Sequence, residues 1–131
     1  MPSAPCPFCT PDAARIAYEA ALVRVIWDAF PLSDGHALVL PRRHIASLFE
    51  ATEAERAALM EGVTAAREQI LLRSSPDAFN IGINDGAAAG QTVPHLHIHV
   101  IPRTHGDVKD PRGGVRWVLP ERAAYWAPPS E

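Results

Sequence analysis

Three histidines stand at alternate positions in the stretch QTVPHLHIHVIPR, Gln91 to Arg103: His95, His97 and His99. The whole chain holds only six. Imidazole has an unperturbed pKa of about 6.5, so a ring nitrogen with a free lone pair is available at neutral pH. Such a nitrogen can attack phosphorus or carbon and form a covalent intermediate. A cationic ring beside it can stabilise a phosphoryl transition state. The rival use is metal binding, since two or three histidines can hold a catalytic zinc. The motif supplies no carboxylate base of its own, which counts against that rival.

The spacing selects the element. In a helix, residues two apart point in different directions. In a strand, i, i+2 and i+4 share one side. Leu96, Ile98, Val100 and Ile101 suit a strand, and Pro94 and Pro102 bracket it. We therefore expect a strand over 95–101, with its apolar face inward and its imidazole face outward.

Two other stretches carry polar chemistry. In NDGAAAGQT, Gly86 and Gly90 permit close backbone approach to a ligand. Asn84, Gln91 and Thr92 are neutral donors suited to phosphate oxygens. The same loop would also serve as a plain hairpin connection. Both cysteines lie in CPFC, Cys6 and Cys9. That spacing is a zinc half-site, a redox pair or simply two thiols near a chain end.

The elements that must position these residues are short. Strands are expected over 15–19, 21–27 and 36–41, forming an antiparallel meander. ATEAERAALMEGVTAAREQILLRS is a helix opened by a Thr52–Glu55 capping box, with Leu59, Val63, Ala66 and Ile70 as its apolar stripe. A helical turn is expected near 45–49, and Arg42 and Arg43 are read as a solvated edge. A fourth strand is expected over 78–84, and the histidine strand is the fifth. The fold class is therefore α+β, a helix covering one face of an antiparallel sheet. At 131 residues the chain reads as one domain, with an N-terminal C-x-x-C segment over 1–14 and an irregular C-terminal segment over 103–131. Trp117 and Trp126 either pack that segment on the sheet or line a leaving-group pocket or subunit interface.

With 47% hydrophobic and 21% charged residues, the composition is that of a soluble globular domain. Net charge is −3 with no basic run, which argues against a polymeric nucleic-acid groove but not against a nucleotide. No apolar run approaches the ~20 residues of a membrane span. MPSAPCPFCT lacks the form of a signal peptide, so a cytoplasmic location is expected.

GQTVPHLHIHVIPR resembles the H-φ-H-φ-H-φ-φ signature of the histidine triad (HIT) family of nucleotide hydrolases and transferases. GHALVLPRRH is similar to that family's third strand, and NDGAAAGQT to its phosphate loop. The resemblance covers roughly residues 5–105, and the tail DPRGGVRWVLPERAAYW is similar to bacterial members near the diadenosine polyphosphate hydrolase branch. It implies a five-stranded antiparallel sheet with one long helix, and a homodimer in which two sheets join as ten strands. It implies that His97 attacks the α-phosphorus of a purine nucleotide, with adenosine favoured, and that a backbone carbonyl near His95 holds its ring. His99 would contact the α-phosphate and leaving group, with His36 as a fourth catalytic histidine. Asn84, Gln91 and Thr92 would contact phosphate, and Asp28 the ribose hydroxyls. Cys6, Cys9, His44 and His95 would hold a structural zinc; no organic cofactor is implied. The expected substrate is a nucleoside phosphoramidate or a dinucleoside polyphosphate. The alternatives are a hydrolase with zinc on the histidine strand and a nucleotide-sensing scaffold protein.

Overall fold

The computed structural model of the protein describes residues 6–128. The outermost parts of the two terminal segments, 1–5 and 129–131, lie outside the described residues. Strands β1 (Ile16–Glu19), β2 (Val23–Trp27) and β3 (Ala37–Pro41) form the antiparallel meander. Helix α1 (Glu53–Leu71) follows, then β4 (Ala78–Gly82) and β5 (Ile98–Arg103). The sheet order is β1-β2-β3-β5-β4, all antiparallel. The last strand in sequence thus lies inside the sheet, between β3 and β4. Among the described residues, no helix is long and apolar enough to cross a membrane.

Thr52 caps α1 by accepting from the Glu55 amide, and Glu55 returns the bond to the Thr52 amide. Leu59, Ala66 and Ile70 of the stripe are buried, and Val63 packs at its border. They meet Val23, Val25, Val39, Ile98 and Val100 on one face of the sheet. Gly62 sets the approach: a Cβ there would lie 2.5 Å from Val39 Cγ1 and 2.8 Å from Val23 Cγ2. Arg42 and Arg43 are both exposed, as expected of a solvated edge, but Arg43 also makes an ion pair. Its guanidinium donates to both carboxylate oxygens of the buried Glu55, at 3.0 and 2.8 Å. That fork holds the Glu55 carboxyl down to about 2, so it stays ionised. The bond ties the loop after β3 to the first turn of the helix.

The strand boundaries differ from expectation where turns and pairings end. β2 begins at Val23 because the Ala20 amide bonds to the Val23 carbonyl and closes a turn. The helical turn near 45–49 is a 3-10 turn at Leu48–Glu50. β4 stops at Gly82, opposite His99. The histidine strand starts at Ile98, so His95 and His97 precede it. There the chain is held by the Leu96 amide, which bonds to the Ile45 carbonyl at 2.6 Å instead of to a strand. Pro102 lies inside β5 without cost to the ladder. Pairing with β3 ends at Val100, and the Pro102 carbonyl accepts from Ser33 Oγ on that side.

The imidazole face does not simply point outward. His95 is fully buried, His97 is 8% exposed and His99 is half-buried. Phe8 of the N-terminal segment packs over His95 and His97 and against Ile26, Leu38 and Leu40.

Alanine is favoured over glycine in a helix by roughly 1 kcal/mol. Overpacking against the valines of β2 and β3 costs about 1–3 kcal/mol. Gly62→Ala is therefore predicted to lower the urea unfolding midpoint. A midpoint raised by the substitution would contradict this packing.

Candidate active site and metal centre

The backbone turns His95 and His97 into a linked pair. His97 Nδ1 donates to the His95 carbonyl at 2.8 Å. Its ring proton is thereby placed on Nδ1, and the lone pair on Nε2 is left free. Phe8 packs edge-on to the His97 ring, centroids 5.0 Å apart, and the His99 ring centroid lies 5.1 Å from it.

A second chain of bonds sets the tautomer of His99. The Leu32 amide donates to His36 Nδ1 at 3.1 Å, so the His36 proton sits on Nε2. That Nε2 donates to His99 Nδ1 at 2.9 Å, with Asp28 Oδ2 3.4 Å away. His99 is then left with its proton on Nε2. Burial lowers the pKa of both His36 and His99, which keeps the rings neutral at pH 7. The Asp28 carboxylate opposes that shift in both. Asp28, His36 and His99 lie close enough to share an ion. However, the Leu32 amide occupies the His36 Nδ1 lone pair, so Nε2 is a hydrogen-bond donor and not a ligand.

Asp28 stands at the end of β2, where its carboxylate also accepts from the Phe30 amide at 2.8 Å. Asn84 lines the cavity that borders His99. Thr92 is exposed just before the histidines. Gln91 has a different position from a free phosphate donor. Its Oε1 accepts from the Gly86 amide, and its Nε2 donates to the carbonyls of Ala46 and Val93. Asp85, which carried no expectation, accepts from Ser47 Oγ and the Leu48 amide. These two side chains staple the loop to the segment before α1. Only three-dimensional contact reveals the Asp85 role; its signal was its place beside Asn84 in a glycine loop.

Cys6, Cys9, His44 and His95 converge. Cys9 Sγ lies 3.2 Å from His44 Nδ1 and 3.6 Å from His95 Nδ1. Cys6 Sγ is 3.5 Å from His95 Nδ1, and the two Nδ1 atoms are 3.2 Å apart. A tetrahedral ion with metal–sulfur bonds of about 2.3 Å and metal–nitrogen bonds of about 2.0–2.1 Å has edges of about 3.3–3.8 Å. The cluster therefore fits such an ion, and the four donors leave no position open for chemistry. The far nitrogen of His95, Nε2, donates to the Pro41 carbonyl at 2.8 Å and turns Nδ1 to the cysteines. The lone pairs of His95, His97 and His99 therefore do not meet at one ion.

The His97 ring with Nε2 free, the neighbouring donor ring of His99 and the His95 carbonyl two residues back stand together at the start of β5. A HIT domain model matches residues 11–106. The chain belongs to the HIT domain family. It is 37% identical over 100 residues to a bis(5'-nucleosyl)-tetraphosphatase (asymmetrical) of Schizosaccharomyces pombe, covering 76% of this chain and 55% of that protein. A histidine triad nucleotide-binding protein of Sulfolobus tokodaii, described as hypothetical, superposes with a TM-score of 0.71 and 34% identity, over 78% of this chain and 71% of that one. A zinc-bound histidine triad family protein of Mycobacterium smegmatis superposes with a TM-score of 0.65 and 37% identity, over 78% and 77% of the two chains. The chain spans about half the length of the first curated relatives it matches. These structures carry the same fold as this HIT domain.

The neutral rings make stability pH-dependent. His36 and His99 have lower pKa values folded than the unfolded value of about 6.5, so the unfolded chain binds protons first as pH falls. Stability is full above that value and declines below it. The melting temperature is predicted to fall between pH 7.5 and 5.5, and to fall less in His36→Gln. Equal falls in both proteins would contradict neutral burial of His36.

Proposed function

We propose that the protein is a nucleotide hydrolase acting at the α-phosphorus of a nucleoside phosphoramidate or a dinucleoside polyphosphate, with adenosine as the favoured nucleoside. The observation that carries the reading is the bond from His97 Nδ1 to the His95 carbonyl, which leaves Nε2 as the free nucleophile. In the first step Nε2 bonds to phosphorus and the bond to the leaving group breaks, its electron pair going to the leaving atom. His99 Nε2–H, set as a donor by the Leu32–His36 chain, hydrogen-bonds to that atom, and solvent water supplies the proton it needs. In the second step a water oxygen bonds to phosphorus, the phosphorus–Nε2 bond breaks with its pair returning to His97 Nε2, and the water's proton passes to solvent. The products are the nucleoside monophosphate and the protonated leaving group. Splitting one difficult substitution in two is the gain from covalent catalysis.

Asp28 is read as the ribose acceptor, since a carboxylate can accept from two hydroxyls. Asn84 and Thr92 are read as phosphate contacts. Gln91 would act there through the loop it holds. The name of the Schizosaccharomyces pombe relative supports a dinucleotide substrate among the options.

Zinc is read as the ion of the Cys6–Cys9–His44–His95 cluster, supported by the donor set and by the zinc-bound Mycobacterium smegmatis relative. Bound there, it would cross-link the N-terminal segment to the histidine row. Burial raises the Cys9 thiol in the absence of a cation, with Cys6 adding to the shift, so an ion that binds thiolate must displace that proton and binds more tightly as pH rises. A homodimer formed across a sheet edge completes the reading; β1 and β4 are the edges available.

Two measurements test this. Turnover of adenosine phosphoramidate and diadenosine triphosphate is predicted to yield AMP from at least one. His97→Ala should lose roughly 10⁴-fold or more, the scale of deleting a covalent nucleophile, with its circular dichroism unchanged. Near wild-type turnover in that variant would refute the assignment. Elemental analysis is predicted to find about one zinc per chain, and Cys9→Ser should lose most of it along with thermal stability. Equal zinc in the two proteins would place the ion elsewhere.

A further inference from the structure

Among the described residues, one buried side-chain polar atom lacks a hydrogen-bond partner: Nε of Arg24. Arg24 lies in β2 between Val23 and Val25, which pack into the core with α1. Alternation along the strand turns its side chain to the opposite face, with Ile26 two residues on and Leu40 opposite in register. That is the face on which Phe8 packs. The side chain of Arg24 is only 11% exposed. A guanidinium does not give up its charge, so this position costs stability unless an anion or well-placed acceptors meet it.

The partners it has are weak. Nη2 lies 3.5 Å from Glu19 Oε2, long beside the roughly 2.7–2.9 Å of charge-assisted bonds, and Glu19 is shared with Arg42 at 3.4 Å. Nη1 donates to the Cys9 carbonyl at 3.3 Å. By contrast, Arg43 and Arg103 each grip a carboxylate with two bonds of 3.0 Å or less. The Cys9 contact places the Arg24 guanidinium at the turn that carries both cysteines, which the Cys9 amide closes onto the Cys6 carbonyl at 3.2 Å. The neighbouring strand runs from Leu40 directly to Pro41, whose carbonyl holds His95 Nε2. Arg24 thus stands beside the Cys6–Cys9–His44–His95 cluster, and with donors only it cannot itself be a ligand.

Resting on the reading of that cluster as a metal site, we infer that Arg24 is its positioning residue. The cation is the counter-charge of the two thiolates, and the unpartnered Nε–H is the donor held for one of them. Binding a divalent ion expels the thiol protons and gathers two negative sulfurs at this turn. A fixed donor there stabilises the sulfur charge that the metal bonds leave behind, while Nη1 holds the backbone of the ligand Cys9. Outer partners of this kind orient metal ligands and tune the affinity of the site. Arg24 touches Cys9 and not His97, so its influence on His97 runs through the cluster and His95.

The test measures metal binding by the purified protein, with zinc titrated against a competing chromophoric chelator and cobalt(II) as a spectroscopic probe. Arg24→Met, similar in shape but uncharged, is predicted to weaken zinc binding by about 10–100-fold. Its sulfur-to-cobalt charge-transfer band should move to longer wavelength, since a thiolate that loses a donor gives up an electron more easily. Arg24→Lys keeps the cation but loses the fixed Nε–H, and its affinity should lie between those of Arg24→Met and the wild type. Wild-type affinity and band position in Arg24→Met would overturn the inference. Weaker binding with the band unmoved would reduce Arg24 to a backbone prop and overturn it as well, as would Arg24→Lys binding no better than Arg24→Met. If Arg24→Met does not fold, Arg24→Lys carries the test, and wild-type affinity with an unshifted band there would overturn the inference. A wild type that binds neither ion, or binds both as tightly after Cys9→Ser, would instead refute the metal reading itself.

Discussion

The site depends on one hydrogen bond, from His97 Nδ1 to the backbone carbonyl of His95. It fixes which nitrogen of His97 is free and where that nitrogen points. The carbonyl can do this only if residue 95 is itself immobile. His95 is fully buried, its Nε2 is bound to the Pro41 carbonyl and its Nδ1 faces two cysteines and His44. The next residue is held by the Leu96–Ile45 backbone bond. One residue thus belongs to the Cys6–Cys9–His44 cluster through its ring and braces His97 through its carbonyl. Each constraint on the ring is passed to His97 through a rigid peptide unit.

The same economy of protons governs the other side of the site. A backbone amide, Leu32, determines which nitrogen of His36 carries hydrogen, and His36 in turn determines it for His99. Burial keeps both rings uncharged in a setting where neighbouring imidazoles would otherwise repel as cations. A lone pair on His97 and a proton on His99 therefore stand side by side without requiring any group to be charged in advance. Phe8 closes the assembly from above, carried there by the turn between the two cysteines.

Much of this was legible in the sequence, for physical reasons. Alternation of His95, His97 and His99 reports extended backbone, and the parity survives although β5 begins only at Ile98. The capping residues Thr52 and Glu55 locate the helix start because both partners of the box are side chains. The C-x-x-C half-site and His44 acquire meaning through the family resemblance, and the structure brings their donor atoms within one tetrahedron. What was illegible depends on contacts distant in sequence or on the backbone. Nothing in residue type announces that the Leu32 amide bonds to His36, that Arg43 forks onto a buried Glu55, or that Gln91 is occupied within its own loop. The burial of the imidazole face follows from Phe8 folding over it, which periodicity along β5 cannot encode. The wall of the cavity beside His99 that carries Trp117 is a single 3-10 turn, Gly114–Val118, with too few residues to show a period.

The central claim is that phosphorus is transferred twice, first to His97 Nε2 and then to water. The stereochemistry at phosphorus tests this most directly. An adenosine 5′-phosphorothioate substrate of known configuration would be hydrolysed in ¹⁸O-labelled water and the configuration of the product determined. Two in-line displacements each invert the centre, so the account predicts net retention. Net inversion would mean that water attacks phosphorus in a single step, and His97 would then not be the nucleophile.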